Sequence, residues 1–134
     1  MATYAPHRNL AAWREAMTLA ELVYRDTAGF PREETFGLTT QSRKSAVSVP
    51  SNIAEGAGRN TTGELIQFPG VSCGSLAELD TQLELAVRLR YLPANANAIR
   101  QLDRVGKIVR LLRKSLQEKR RGSVVRSDGG NKKG

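Results

Sequence analysis

The side chains best suited to chemistry are the lysines and arginines in the last quarter of the chain. Residues 100–134 hold twelve basic and three acidic side chains, whereas residues 1–99 hold nine basic and ten acidic ones. The net charge of +8 therefore comes entirely from the carboxyl-terminal quarter. Such clustered cations are typical of polyanion binders, because each neutralised phosphate releases condensed counterions. The same cations also suit a solvated helix, so both interpretations stay open.

The predicted phosphate ligands lie on a segment whose apolar residues follow heptad-like spacing, which predicts a helix with cations on its outer faces. Binding by such a helix would be weakly sequence-specific and steeply salt-dependent. The predicted nucleic-acid ligands are Arg104, Lys107, Arg110, Arg113, Lys114, Lys119, Arg120 and Arg121.

Three carboxylates, Glu78, Asp80 and Glu84, could suggest a metal site because Asp80 and Glu84 share one helical face. Di-metal helical bundles combine such acids with a Glu-x-x-His motif, which this sequence lacks. One histidine and one cysteine also exclude an internal disulfide and a Cys/His cluster within one chain. A solvated face or an ion pair with a neighbouring arginine is favoured, and no metal or cofactor is expected.

Nucleophilic catalysis has little support in the sequence. The serines at positions 48, 51, 72 and 75 have only His7 as an imidazole base, and it lies far away near the amino terminus. Cys73 is interpreted as a small buried residue rather than a nucleophile. We therefore expect no enzymatic activity.

Helical periodicity predicts the elements that carry these groups. Apolar residues recur at spacings of three and four over residues 9–28, with Asn9 as the predicted N-cap. Trp13 and Tyr24 fall on this stripe, which favours core packing over base stacking. A second helix is predicted from about Leu38, with a kink at Pro50.

The kink is expected because proline removes a backbone hydrogen bond, and nearby Ser and Asn side chains could satisfy the freed groups. Gly56 is the predicted C-cap of this second helix. Thr61 and Glu64 form a predicted capping box that starts a third helix ending near Tyr91. A kink or break is expected near Pro69-Gly70, because both residues are poor in a helix interior.

A fourth helix is predicted from residues 94–97 to Arg121. Four helices with short links predict an antiparallel up-down-up-down four-helix bundle over residues 1–121. Residues 122–134, GSVVRSDGGNKKG, are predicted to be a flexible basic tail. Without a long apolar run or a secretory pattern, a cytoplasmic protein with no membrane contact is expected.

Four motifs between residues 30 and 92 carry a resemblance to a known family. They are Phe-Pro-Arg-Glu at 30–33, Gly-Leu-Thr-Thr-Gln at 37–41, Ser-Val-Pro-Ser-Asn-Ile-Ala-Glu-Gly at 48–56 and Gly-Ser-Leu-Ala-Glu-Leu at 74–79. With them the chain resembles the four-helix-bundle proteins named for their occurrence in 23S rRNA intervening sequences. Two positions depart from the family pattern, Ser42 and Pro69-Gly70.

The resemblance implies an antiparallel four-helix bundle that assembles into a ring, typically a homopentamer, with no enzymatic activity. Related proteins accompany diversity-generating retroelements, where a basic ring helps a reverse transcriptase engage nucleic acid. The resemblance therefore implies a nucleic-acid-associated oligomer. The alternative is a purely structural oligomer or protein-binding scaffold, for example accessory to a reverse transcriptase, whose basic helix pairs with acidic surfaces around Glu78 and Glu84 of the next subunit.

The family motifs have two interpretations. Asn52, Glu55 and Arg59 could contact RNA or a partner subunit, or the segment could simply be a kinked helix whose polar side chains satisfy backbone groups. The structural interpretation is favoured. The motif residues assigned to a structural or interface role are Gln41, Pro50, Asn52, Glu55, Gly56 and Glu78.

Overall fold

The structure is a computed structural model that describes residues 6–58 and 62–133, without the side chains of residues 62–69, 120 and 123–133. Four helices make up most of this part of the chain, preceded by a 3₁₀ turn at Pro6–Asn9 and with a second turn at Arg32–Glu34. The helices are α1 (Ala11–Thr27), α2 (Leu38–Ala57), α3 (Thr62–Arg88) and α4 (Asn97–Lys133).

The helices pack in a closed cycle, which confirms the predicted all-α, up-down-up-down four-helix bundle. Each helix contacts the next in chain order, and α4 returns to contact α1. Among the described residues no diagonal pair of helices is in close contact and no strand is present. Short links between antiparallel neighbours produce this arrangement.

The core face of α1 contains part of the predicted apolar stripe but leaves Met17 and Tyr24 exposed. Ala16, Leu19 and Val23 are fully buried, whereas Tyr24 is 46% exposed. The prediction that Tyr24 packs in the core is therefore wrong, and its ring instead lies under the guanidinium of Arg43, 4.6 Å away. Small alanines let the helices approach closely, so the bulkier aromatic is left at the edge of the interface.

The ends of the first two helices differ from the predicted ones. Leu10, in extended conformation, is the N-cap of α1, because Asn9 belongs to the preceding 3₁₀ turn. Helix α2 continues through Pro50 and ends at Ala57 with Gly58 as C-cap. Gly56 is buried within the helix, so its predicted C-cap role is wrong. The Gly58 N–H satisfies the Glu55 carbonyl at 3.2 Å, which places the helix end after Gly56. The bend at Pro50 stays a prediction.

Helix α3 continues through Pro69 and Gly70, so a break there is wrong, whereas the alternative of a kink stays a prediction. Packing against α2 and α4 supplies more stabilisation than local propensity removes. The proposed N-cap Thr61 lies outside the described residues. The helix ends at Arg88, before the predicted Tyr91.

A Schellman-type cap ends α3 at that point. The Tyr91 N–H donates to the Ala86 carbonyl at 2.8 Å and the Arg90 N–H to the Val87 carbonyl at 3.0 Å. Arg90 has a φ of 66°, a left-handed conformation that usually favours glycine. Partial burial, a hydrogen bond to Glu34 and the nearby charges raise the pKa of the Tyr91 phenol.

The backbone of α4 is helical to Lys133, which extends the helix past its predicted end near Arg121. The tertiary contacts that usually stabilise a helix are those of its buried face, and such a face ends well before Arg121. The division into a bundle and a flexible tail stays a prediction. In the described part of the chain, no helix has the length and apolar character needed to cross a membrane.

Candidate nucleic-acid interface

The beginning of α4 is fastened to α1 by polar contacts. The Ala98 N–H donates to Asp26 Oδ2 at 2.9 Å, which satisfies a backbone group at the amino end of α4. The Gln101 amide donates to the backbone carbonyl of Glu15 at 2.9 Å and to its Oε2 at 2.7 Å. Glu15 thereby becomes the main polar anchor between the two helices.

Burial along α4 falls off towards its carboxyl end. Val105 and Val109 are fully buried, and Leu102 is 9% exposed. Leu112 is only partly buried against the core, and no described side chain after Val109 is buried. The helix therefore belongs to the core up to Val109 and rests on its surface beyond it.

Two of the predicted phosphate ligands are held by carboxylates. Arg104 forms an ion pair with Glu15 at 3.1 Å, and Lys107 pairs with Asp103 at 3.0 Å on the same helix. Both cations are well exposed, so such pairs are weak, about 0–1 kcal/mol. The charge of these two cations is nevertheless partly neutralised in the part of α4 up to Val109, which we call its first half; we call the residues from Arg110 onward its second half.

The second half of α4 carries exposed cations that form no ion pair with any described residue. Arg110 borders a groove between α3 and α4, and the Arg113 guanidinium lies over Gly70, where an added Cβ would be 3.7 Å from Cζ. The side chain of Arg120 lies outside the described residues. We call this set the unpaired cations: Arg110, Arg113, Lys114, Lys119 and Arg121.

Lys107, Lys114 and Arg121 lie seven residues apart, so helical geometry puts them on one line about 10.5 Å apart. This line is on the side of α4 opposite Val105 and Val109. Leu111, between Lys107 and Lys114 on the same side, is 67% exposed. The outer surface of α4 is thus a straight row of cations rather than a pocket.

The groove beside this row has a volume of about 560 Å³ and is mostly apolar. Cys73, Leu76 and Gly106 are among its lining residues, and Cys73 is half-buried rather than fully buried as predicted. Asp80 and Asp103 also border the groove. Because two carboxylates and one guanidinium border the groove, it is not a cationic channel.

Motif residues from separate parts of the sequence meet in a second, polar groove of about 520 Å³ between α2 and α3. Gln41 and Glu78 line it, together with Ser48, whose hydroxyl donates to that of Ser75. Glu78 forms no ion pair with a described residue, whereas Glu84 pairs with Arg88 at 2.9 Å. Sequence spacing alone gave no sign of this convergence, since Gln41 and Glu78 lie on different helices.

The remaining motif residues make local contacts. Asn52 donates to the Ser48 carbonyl at 2.7 Å, and Ser51 donates to that of Val47 at 2.8 Å. Pro50 leaves the Ala46 carbonyl without its usual helical donor, and neither bond goes to that carbonyl, so satisfaction of the freed group stays a prediction. Pro50 and Gly56 are buried and Glu55 is exposed, whereas Arg59 lies outside the described residues.

A family model described as 23S rRNA-intervening sequence protein matches residues 8–114, which include α1, α2, α3 and α4 as far as Lys114. No curated protein matches the chain.

Proposed function

The chain belongs to the 23S rRNA-intervening sequence protein family, and from this premise we propose that it is a non-enzymatic, oligomeric protein that binds nucleic acid through the second half of α4. The observation that carries the proposal is the set of unpaired cations, which are exposed and lie at the surface of the bundle. Cations without carboxylate partners are available to phosphates.

The unpaired cations suit the sugar-phosphate backbone rather than base edges. Binding through charge alone is sequence-independent, and the logarithm of the binding constant falls linearly with the logarithm of the salt concentration. Each lysine or arginine that neutralises a phosphate of a DNA duplex makes this salt dependence steeper by about 0.9 in slope. Assembly into a homo-oligomer, for which the family resemblance suggests five subunits, would multiply the cations and raise affinity through multivalency.

The test measures binding of the full chain to labelled RNA and DNA by fluorescence anisotropy at low and near-physiological salt. The variant Arg110→Gln/Lys114→Gln/Arg121→Gln should bind about 100-fold more weakly at 0.15 M salt, with a salt slope smaller by about three. No detectable binding by the unaltered chain at either salt concentration would eliminate the proposal.

A matched control removes three cations from other surfaces of the bundle. Arg25 and Arg88 pair with Glu21 and Glu84 on their own helices, and Lys44 is exposed on α2. The variant Arg25→Gln/Lys44→Gln/Arg88→Gln has the same net charge as the test variant and should keep most of the affinity. Equal losses in both variants would show that total charge rather than the second half of α4 controls binding.

A second candidate function is a structural oligomer or protein scaffold, for example one that is accessory to a reverse transcriptase. The observation that favours it is exposed apolar surface, above all Phe36, which is 92% exposed in the link between α1 and α2. Light scattering on Arg110→Glu/Arg113→Glu separates the candidates. Loss of the oligomer would assign these arginines to a subunit interface, whereas an intact oligomer with lost binding supports phosphate contacts.

A further inference from the structure

The surface of α4 lacks the groups that hold single-stranded nucleic acid. Proteins that bind single strands stack successive bases on aromatic side chains. The sequence of α4, residues 97–133, contains no aromatic residue. Among the side chains that the structure describes, the exposed aromatics are Tyr24 and Phe36, which belong to α1 and to the link that follows it.

The neighbouring groove is also unsuited to a single strand. Single-strand binders guide the backbone along a positively charged groove. Here the groove between α3 and α4 is bordered by Asp80 and Asp103, whose charges oppose a phosphate chain. The row of Lys107, Lys114 and Arg121 lies outside the groove, on the convex side of the helix.

The row is straight because it follows a helix, which matches a stiff polyanion. Lys114 and Arg121, its unpaired members, lie about 10.5 Å apart, and Arg110 lies on the same side of the helix about one turn before Lys114. A duplex carries one phosphate per about 1.7 Å of its axis, which is twice the density along a single strand. A flexible strand must also lose conformational freedom to follow a straight row of charges.

We infer that the second half of α4 is a docking surface for the backbone of double-stranded nucleic acid rather than for a single strand. The inference rests on the proposed function, because it names the form of nucleic acid that the unpaired cations take. The shared chemistry is a double row of phosphates, which duplex RNA and duplex DNA both provide. Binding needs no particular sequence.

The experiment titrates the full chain against 20-nucleotide strands of mixed sequence without self-complementarity, each alone and annealed, in RNA and in DNA. Three phosphate contacts, from Arg110, Lys114 and Arg121, release fewer counterions from a single strand, so the duplex should bind about threefold more tightly at 0.15 M salt. A preference for the duplex over the single strand in either RNA or DNA supports the inference. Comparison of the two duplexes shows which one is bound more tightly.

The outcomes also separate this inference from the proposed function. Binding to neither form would remove the proposed function and the inference together. Single strands bound as tightly as duplexes, or more tightly, would leave the proposed function intact and overturn the duplex preference.

Leu111 allows a second test, in which a side chain is added rather than removed, because it is exposed beside the row of cations. Leu111→Trp places an aromatic platform there and should raise single-strand affinity about tenfold while leaving duplex affinity nearly unchanged. Leu111→Ala is the matched control and should change neither affinity. If the tryptophan improves duplex binding as much as single-strand binding, the lack of an aromatic side chain on α4 does not explain the duplex preference.

Discussion

The two halves of α4 use their cations differently. In the first half, Arg104 pairs with Glu15, Lys107 pairs with Asp103, and Val105 is fully buried. In the second half, no described side chain is buried and the cations have no ion-pair partner among the described residues. Residue type alone therefore does not make a cation available to phosphate. The nearby carboxylates decide it, Glu15 of α1 for Arg104 and Asp103 of α4 itself for Lys107.

Unequal helix lengths explain the difference. Helix α1 has 17 residues and α4 has 37, so α4 is longer by about 30 Å at 1.5 Å per residue. The two helices are antiparallel, with Asp26 contacting Ala98 and Glu15 contacting Arg104. Helix α1 begins at Ala11, only four residues before Glu15, and no residue between them carries a carboxylate. The part of α4 that extends past Ala11 therefore has no carboxylate of α1 beside it.

The largest effect on stability is expected when one leucine in each half of α4 is replaced by alanine and the two variants are compared. Leu102→Ala should lower the free energy of unfolding by about 2–5 kcal/mol, because Leu102 is buried and its loss leaves a cavity. Leu111→Ala should change it by less than about 0.5 kcal/mol, since Leu111 is 67% exposed. Urea denaturation measures both values. Equal losses would show that both halves are part of the core.

A smaller effect should come from releasing the paired cations. Glu15→Gln/Asp103→Asn frees Arg104 and Lys107, which should raise duplex affinity about 5- to 30-fold at 0.15 M salt and increase the salt slope by one to two. Fluorescence anisotropy against salt concentration measures both quantities. The gain would extend the binding surface into the first half of α4.

The control for this gain neutralises two carboxylates elsewhere. Glu21→Gln/Glu84→Gln breaks the pairs with Arg25 and Arg88 and gives the same net charge. Its affinity should rise much less, because Arg25 and Arg88 do not lie on α4. A rise equal to that of the test variant would mean that overall charge, not pairing, separates the two halves.

The sequence predicted the four helices and their order because each has an apolar pattern of helical period. It misplaced Met17 and Tyr24 of α1, which are exposed although they share a periodic stripe with residues that are buried, such as Ala16. Only the position of neighbouring helices decides which stripe is buried. The break at Pro69-Gly70 was wrong for the same reason, because packing outweighed a local penalty.

For the candidate site, the sequence identified the cations but not their partners. Asp103 lies four residues before Lys107, so that pair was within reach of a spacing argument. Glu15 lies far from Arg104 in sequence, and no periodic pattern links them. The convergence of Gln41 and Glu78 on one groove was hidden in the same way. Long-range contacts set which predicted ligands are available.

A cation outside α4 provides a prediction of about 1 kcal/mol. Arg90 has a left-handed backbone conformation, so Arg90→Gly should stabilise the fold by about that amount. Nucleic-acid affinity should stay within about twofold, since Arg90 is remote from the unpaired cations. Thermal unfolding and anisotropy measure the two effects. A large loss of affinity would mean that the binding surface includes the link between α3 and α4.

The smallest effect on stability is expected from removing the residues after Arg121. Arg113 lies over Gly70, and α3 begins eight residues before that glycine, so the antiparallel partner of α4 ends near the level of Arg121. Beyond it, α4 contains Gly122, Gly129 and Gly130, each of which costs about 1 kcal/mol relative to alanine in a helix. An isolated segment of this length and composition is marginally stable as a helix.

Truncation after Arg121 should therefore change the free energy of unfolding by less than about 0.5 kcal/mol. It removes three basic residues and one acidic residue, so duplex affinity should fall by only about five- to tenfold at 0.15 M salt. Urea denaturation and anisotropy on the same preparation measure both effects. A loss of stability above about 1 kcal/mol would show that the last turns of α4 pack as part of the folded body, because an unpacked segment cannot lend stability to the helices that precede it.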